Sequence, residues 1–161
     1  MYWNFQMTIY RSSDATLSDS AAIVEVINRA RLTWTVYFPC PETRHVDAFI
    51  EFAIEQPKYS KAILVKDGNR ILGGLGMSLE SIANLTIAHN QLLFVEPDLS
   101  AIEKYRVIYT LINTIKPWLK EQNVHRIAWT LGVGKWKSLQ RIINRAFPST
   151  QVGVCINSEL S

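Results

Sequence analysis

The feature that most constrains the fold is an apolar run that ends at a proline, residues 92–97, with the sequence Leu-Leu-Phe-Val-Glu-Pro. Residues 91–95 are apolar enough on both faces to predict a central strand. A helical pattern follows over residues 100–122, and a second apolar run comes after it at residues 127–131. Strand, helix and strand in this order predict two parallel strands joined by a crossover helix.

The first half of the chain predicts a β-hairpin. Residues 67–69, Asp-Gly-Asn, separate two apolar runs at residues 62–66 and 70–77, and such residues tolerate the positive φ values of a tight turn. The second run contains Gly73, Gly74 and Gly76, which indicate a bulge or the close approach of a neighbour or a ligand. A polar connection is then expected up to residue 90.

Two helices are predicted before this hairpin. The first is capped by Ser18 or Asp19 and extends to Ala30, and the second covers residues 42–56. The helical spacing predicts that the buried face of the second helix consists of Val46, Phe49, Ile50, Ala53 and Ile54. In the long helix over residues 100–122, Pro117 predicts a kink or a separate last turn.

The remaining segments complete an α/β pattern. A short strand is predicted at residues 7–10 with a turn at 11–14, and a helix at 135–146 precedes a last strand at 151–156. The order predicts one domain over residues 1–161. Its single mixed sheet has an antiparallel N-terminal meander and a parallel central pair, with helices on both faces.

Composition excludes several classes of protein. Hydrophobic residues make up 48% of the chain and charged residues 19%, which is typical of globular domains. No apolar run approaches the roughly 18 residues of a membrane span, and the N-terminus lacks the pattern of a signal peptide. We therefore expect a cytoplasmic protein that is not secreted. Cys40 and Cys155 are expected to be free thiols, and no residue spacing indicates a metal site.

One segment, residues 116–145, is strongly basic. Glu121 is its single acidic residue, against Lys116, Lys120, Arg126, Lys135, Lys137, Arg141 and Arg145. The segment is either a solvated helix face or a site for an anion, which would be a phosphate-bearing cofactor or a nucleic acid. A nucleic-acid surface would pair these cations with exposed aromatic residues. The helical spacing instead predicts Tyr105 and Tyr109 in the core.

Four short motifs and the order of elements resemble the GNAT superfamily of acyl-CoA N-acyltransferases, in particular short bacteriophage-encoded members. The motifs lie at residues 9–14, 71–74, 94–97 and 135–147. The resemblance implies acetyl-CoA as cofactor, with contacts from Phe94, Val95, Ser100, Lys104 and Arg106. In this arrangement Glu96 is a candidate catalytic base and His89 a second candidate, with Glu80 a weaker one.

The sequence also departs from this family. Its glycine-rich phosphate loop corresponds to residues 98–106, which contain no glycine, and its late-helix tyrosine corresponds to Ile142. Ser100 is also a plausible helix cap. These departures predict a non-catalytic structural or interaction protein, associated with a protein partner, with itself, or with a virion or host factor. The alternative is an active acetyl-CoA-dependent N-acetyltransferase that acts on a protein or a small-molecule amine.

Overall fold

A five-stranded mixed sheet forms the centre of the structure, a computed structural model that describes residues 10–30, 42–129 and 141–145. The strands are β1 Ser12–Asp14, β2 Ser60–Asp67, β3 Arg70–Ile82, β4 Leu85–Val95 and β5 Arg126–Ala128. They lie side by side in chain order; β1 to β4 pair antiparallel, and β4 and β5 pair parallel. The predicted mixed sheet with an antiparallel meander and a parallel pair is confirmed.

Helices cover both faces of this sheet, as predicted. They are α1 Ser20–Ala30, α2 Thr43–Glu55 and α3 Ala101–Glu121, and residues 141–145 are also helical. The apolar faces of α1 and α2 pack on one side of the sheet. On the other side, α3 and residues 141–145 enclose a second core with the opposite side chains of the same strands. Alternation of side chains along each strand supplies both cores.

The predicted hairpin between β2 and β3 is confirmed, with Gly68 at φ +59° as the first of two turn residues. A second hairpin joins β3 to β4 at Ala83 and Asn84, with φ values of 48° and 66°. Two positive φ values in a two-residue loop are typical of a type I′ turn. The predicted polar connection before residue 91 is therefore wrong. The sequence Ala-Asn lacks the glycine that usually marks such a turn.

The three glycines of β3 make room for close neighbours. A Cβ atom on Gly73 would lie 2.6 Å from a methyl carbon of Val107, and one on Gly74 would lie 2.5 Å from the ring of Phe94. The strand pairings beside them contain two irregularities, which leave Leu72 of β3 and Gln91 of β4 without opposite residues. Bulges and close side-chain neighbours, both predicted from these glycines, therefore occur together.

The start of the chain differs from the prediction. Residues 12–14 form β1 where a turn was expected, and residues 7–9 of the predicted strand lie outside the described residues. The cap is Thr16 rather than Ser18 or Asp19, and a short 3₁₀ helix, Leu17–Asp19, leads into α1. The Asp19 carboxylate accepts hydrogen bonds from the Thr16 N–H at 2.9 Å and from Lys66 at 2.6 Å.

One prediction about a buried helix face is also wrong, because Ile54 at the end of α2 is 58% exposed. It lies at the margin of the apolar stripe of α2. The last turn of α3 is not separated at Pro117, because the helix continues to Glu121.

Some predictions fall outside the described residues: the strand at 151–156, most of the helix at 135–146, and Cys40 and Cys155. No helix within ranges 10–30, 42–129 and 141–145 is long and apolar enough to cross a membrane. In the same ranges, no three His, Cys, Asp or Glu side chains are grouped so that they could hold a metal ion.

Candidate functional site

The candidate site lies at the end of β4, beyond its described pairing with β5. Within the described part of the chain, β5 pairs with β4 only from Ile87 to His89. Two residues further along β4, Gln91 forms the bulge opposite β3. A bulge bends its strand and increases the local twist. The last part of β4, residues 92–95, continues along β3, and its described pairing with β5 extends to His89.

The backbones of Phe94 and Val95 face opposite edges of β4. The N–H of Glu96 donates to the carbonyl of Leu72 in β3, at 2.7 Å. Because the donors of an antiparallel strand alternate in direction, the Phe94 N–H also points to β3 and the Val95 N–H points to the opposite edge, on the β5 side. Both side chains are fully buried. Of these two predicted cofactor contacts, Val95 alone directs its backbone donor away from β3.

Glu96, the first candidate base, is held in a buried ion pair. Its side chain is 1% exposed, and both carboxylate oxygens accept hydrogen bonds from Arg29 of α1, at 2.5 Å and 2.9 Å. Asp98 donates a backbone N–H to the same carboxylate at 3.4 Å, and Arg70 lies 4.0 Å away. The paired geometry fixes the end of β4 to the end of α1.

This pairing sets the charge of Glu96. The hydrogen bond from Arg29 lowers the pKa of the Glu96 carboxyl and outweighs burial, which raises it. The same bond raises the pKa of Arg29. A general base must accept a proton near the working pH and lie within reach of the substrate. A carboxylate whose two oxygens are both bonded to a guanidinium, and whose pKa is lowered, is poorly suited to that task.

His89, the second candidate, lies far from Glu96. Its Nε2 is 2.9 Å from the Glu80 carboxylate across the β3–β4 hairpin, and its side chain is 34% exposed. The two candidates are seven positions apart along the chain, which corresponds to about 20 Å at the rise of a β-strand. The structure therefore brings Glu80 and His89 together and does not bring His89 and Glu96 to one reacting group.

The first turn of α3 is closed by a reciprocal pair of hydrogen bonds. The Ser100 hydroxyl accepts from the Glu103 N–H at 3.2 Å, and the Glu103 carboxylate accepts from the Ser100 N–H at 3.0 Å. This is a capping box, which satisfies two of the free donors of a helix N-terminus. The predicted cap function of Ser100 is confirmed.

Lys104 and Arg106, also predicted to contact a phosphate, follow in the same helix. Arg106 is close enough to Tyr10 to act on its pKa, which is raised by burial and by Glu103 and is lowered in part by Arg106. Tyr10 packs against the core on the α3 side of the sheet, next to β1. Arg106 therefore lies on the β1 flank of α3, whereas β5 lies at the opposite edge of the sheet.

No family model matches this sequence, and no curated protein matches it. Solved structures do match over nearly the whole chain. Glucosamine-6-phosphate N-acetyltransferase from Arabidopsis thaliana aligns with a TM-score of 0.68 at 8% identity, over 94% of this chain and 99% of that one. An aminoglycoside acetyltransferase from an uncultured soil metagenomic sample, in complex with sisomicin, gives 0.64 at 12% identity, over 91% and 93%. This chain has the GNAT acetyltransferase fold.

A third GNAT structure contains the cofactor. A predicted acetyltransferase with acetyl-CoA from Clostridium acetobutylicum aligns with a TM-score of 0.62 at 12% identity, over 94% of each chain. At such identities the likeness establishes the fold alone. Whether acetyl-CoA fits depends on the residues of this chain. They fit poorly at the first turn of α3, because a carboxylate already bonds the N–H of Ser100 and would repel a pyrophosphate.

The flank of α3 that faces residues 141–145 carries a feature that sequence reasoning missed. Tyr105 and Tyr109, predicted to be buried, are 40% and 46% exposed. Their rings stack with centroids 6.1 Å apart and planes inclined by 12°. Tyr105 also lines a cleft of about 440 Å³ with Arg141, Ile142, Asn144 and Arg145. The spacing of the two tyrosines and the basic segment were both visible in the sequence, but their apposition was not.

Proposed function

We propose that this chain is a GNAT-fold protein that does not catalyse acetyl transfer and acts instead as an interaction or structural protein. The observation that carries the proposal is the capping box at the start of α3. There, the Glu103 carboxylate occupies the helix N-terminus that a phosphate-binding protein would leave open to its ligand.

Electrostatics and sterics at the first turn of α3 both disfavour the binding of an anion. A helix N-terminus binds an anion through free N–H groups and the positive end of its dipole. Here Glu103 neutralises that end, and the exposed Asp98 adds a second carboxylate to the same loop. Residues 98–106 contain no glycine, so side chains limit how closely an anion can approach the backbone.

The state of Glu96 supports the same conclusion. Transfer of an acyl group to an amine requires removal of an ammonium proton. Glu96 is bonded through both oxygens to Arg29, and its pKa is lowered. His89 is bonded to Glu80 about 20 Å from it along the strand. Neither candidate has the surroundings of a general base.

The direct test is thermal unfolding with acetyl-CoA. A ligand present at 100 times its Kd stabilises a protein by about 2.7 kcal/mol, which for a chain of this size raises Tm by roughly 5 °C or more. We expect no measurable rise at 1 mM acetyl-CoA. A dose-dependent rise would contradict the proposal.

A matched variant makes this test sharper. Glu103→Gln removes the negative charge at the α3 N-terminus and keeps a side chain that can still accept the Ser100 N–H. If the carboxylate is what excludes a pyrophosphate, Glu103→Gln should show a larger shift with acetyl-CoA than the wild-type protein. Equal shifts in Tm for the two proteins would mean that the Glu103 carboxylate does not prevent acetyl-CoA from binding.

The alternative, an active N-acetyltransferase acting on a protein or small-molecule amine, is favoured by the backbone at the end of β4. Beyond the bulge at Gln91, the Val95 N–H points away from β3, toward the β5 side of the strand. A panel of amines and peptides with acetyl-CoA, assayed by thiol release, tests this alternative. If turnover is found, Glu96→Gln should slow it while leaving cofactor binding intact; loss of both would reject Glu96 as a base.

We also propose that the protein acts with a protein partner or by self-association, in the cytoplasm or in a virion. Light scattering after size exclusion tests self-association, and co-purification from the native source tests a host or virion partner. A strictly monomeric protein that acetylates amines would contradict the interaction role.

A further inference from the structure

One stripe of α3 faces away from the core along the whole helix. It comprises Ile102, Tyr105, Tyr109, Asn113, Lys116 and Lys120. At 3.6 residues per turn these positions fall within about 80° of arc. The stripe begins with apolar and aromatic side chains, ends with two lysines and includes no carboxylate. It therefore combines aromatic surface with positive charge.

The two tyrosines of the stripe form a platform. Their rings are close to parallel, with an interplanar angle of 12°, and both are substantially exposed. Stacking restricts the ring orientations before any ligand arrives, which reduces the entropy lost on binding. Because Tyr105 also lines the cleft, a planar group in the cleft would extend the existing tyrosine stack.

Two arginines are among the other described residues that line this cleft. Arg141 and Arg145 are exposed and come from the adjacent helical segment, together with Asn144, whereas Ile142 is buried beneath them. Guanidinium groups bind phosphate oxygens through two parallel hydrogen bonds. Aromatic stacking next to cations that track a backbone is the arrangement by which proteins bind single-stranded nucleic acids.

We propose that this surface binds single-stranded nucleic acid. A base stacks on Tyr105, Arg141 and Arg145 hold neighbouring phosphates, and the strand continues along the stripe toward Lys120. The distance from Tyr105 to Lys120 along the helix axis is about 22 Å, which exceeds the length of one nucleotide and favours a strand over a mononucleotide. The exposed ring faces favour bases over an acidic protein surface. This inference rests on the proposed function, because it names the binding partner of a chain proposed to be an interaction protein.

Fluorescence anisotropy with labelled 15-nucleotide oligo(dT) and oligo(A), at low salt, tests the stacking contribution. Removal of an aromatic platform weakens single-strand binding by about 5- to 150-fold per stacked base. We expect losses in this range for Tyr105→Ala and Tyr109→Ala, and near-normal affinity for Tyr105→Phe. Phe52→Ala, which removes an equally exposed aromatic ring from α2, is the matched control and should have no effect.

The salt dependence of binding tests the arginines. Each phosphate contact on a single strand contributes about 0.7 to the slope of log K against log salt concentration. Arg141→Gln and Arg145→Gln should each weaken binding and reduce this slope by about that amount. Arg44→Gln, an exposed arginine of α2, is the control and should leave both affinity and slope unchanged.

Several results would overturn this proposal. Absence of oligonucleotide binding at 50 mM salt would do so, as would binding that Tyr105→Ala leaves unaffected. Binding of ADP in the cleft without oligonucleotide binding, or a partner that proves to be an acidic protein, would also overturn it. The acetyl-CoA melting test separates the two proposals. If neither acetyl-CoA nor oligonucleotide binds, the nucleic-acid inference alone fails; if acetyl-CoA alone binds, both fail.

Discussion

The two predicted catalytic side chains, Glu96 and His89, have different surroundings, although both belong to the region of β4. Glu96, directly after the strand, is almost fully buried and is paired through both oxygens with Arg29. His89 is one-third exposed and is paired with Glu80 on the neighbouring strand. The first pair joins elements 67 residues apart in sequence, and the second joins residues nine apart.

The difference shows how burial decides what an ion pair does. A buried charge that loses its partner is left in a poorly solvated place, so the pair is strongly coupled to folding. When an exposed pair separates, water solvates both charges, so the free energy of unfolding changes little. Glu96 and Glu80 could both serve as acid–base groups by residue type. The buried one, Glu96, instead joins α1 to β4. The exposed one, Glu80, has little effect on the fold.

The largest expected effect is that of Arg29→Met. This change leaves the Glu96 carboxylate buried without its main partner, and removal of one member of a buried pair costs about 3 kcal/mol or more. We expect the free energy of unfolding in urea to fall by about this amount. His89→Ala, at the exposed position, should change it by less than about 0.5 kcal/mol. Similar losses for the two variants would mean that burial does not distinguish the two pairs.

A second, smaller effect is the response to acid. The bond from Arg29 lowers the pKa of Glu96 below its ordinary value of 4.5. A carboxyl with a lower pKa in the folded state stabilises the fold above its unfolded pKa, and this contribution is lost as the pH falls through the folded pKa. The stability of the wild-type protein should therefore fall as the pH drops below 4.5.

The same titration on Arg29→Met checks the assignment. Without Arg29, burial dominates and the carboxylate gains little from staying ionised, so the fall in stability below pH 4.5 should be shallower. Asp19, whose pKa is also lowered because its bonds from Lys66 and Thr16 outweigh burial, is present in both proteins and does not affect the difference. Parallel pH profiles would exclude Glu96 as the source.

The smallest expected effect lies in the turn that precedes the exposed half of β4. Ala83 has φ of 48° in a type I′ turn, a conformation that asparagine adopts more readily than alanine. Ala83→Asn should raise the free energy of unfolding by about 0.5 kcal/mol. Ser81→Asn, in the adjacent exposed part of β3, is the control and should give no gain. Destabilisation by Ala83→Asn would contradict the turn assignment.

Local patterns predicted much of the fold. The helix predicted over residues 42–56 is α2, Thr43–Glu55, and the one over 100–122 is α3, Ala101–Glu121, capped by Ser100 as expected. The Asp-Gly-Asn hairpin and the parallel pair were also predicted. These features depend on capping, turn chemistry, apolar spacing and the order of neighbouring elements, so they can be read along the chain.

The candidate site was predicted less well. Glu96 was identified, but its partner Arg29 was not, because no local pattern links residues 67 positions apart. Tyr105 and Tyr109 have the helical spacing of core residues, yet they lie on the side of α3 that the sheet leaves uncovered. The extended β3–β4 hairpin was missed because Ala83 and Asn84 carry a weak turn signal that pairing along two long strands overrides.

The sequence by itself determined the order and type of the described helices and most of the strands, and with them the GNAT-like sheet, because periodicity and capping act over short distances. The tertiary structure alone decided the chemistry that these elements carry. It paired Glu96 with Arg29, closed the α3 N-terminus with Glu103, and set Tyr105 beside Arg141 and Arg145 at the surface. Burial and the proximity of distant residues set the charge and accessibility of a side chain, and both arise only when the elements pack.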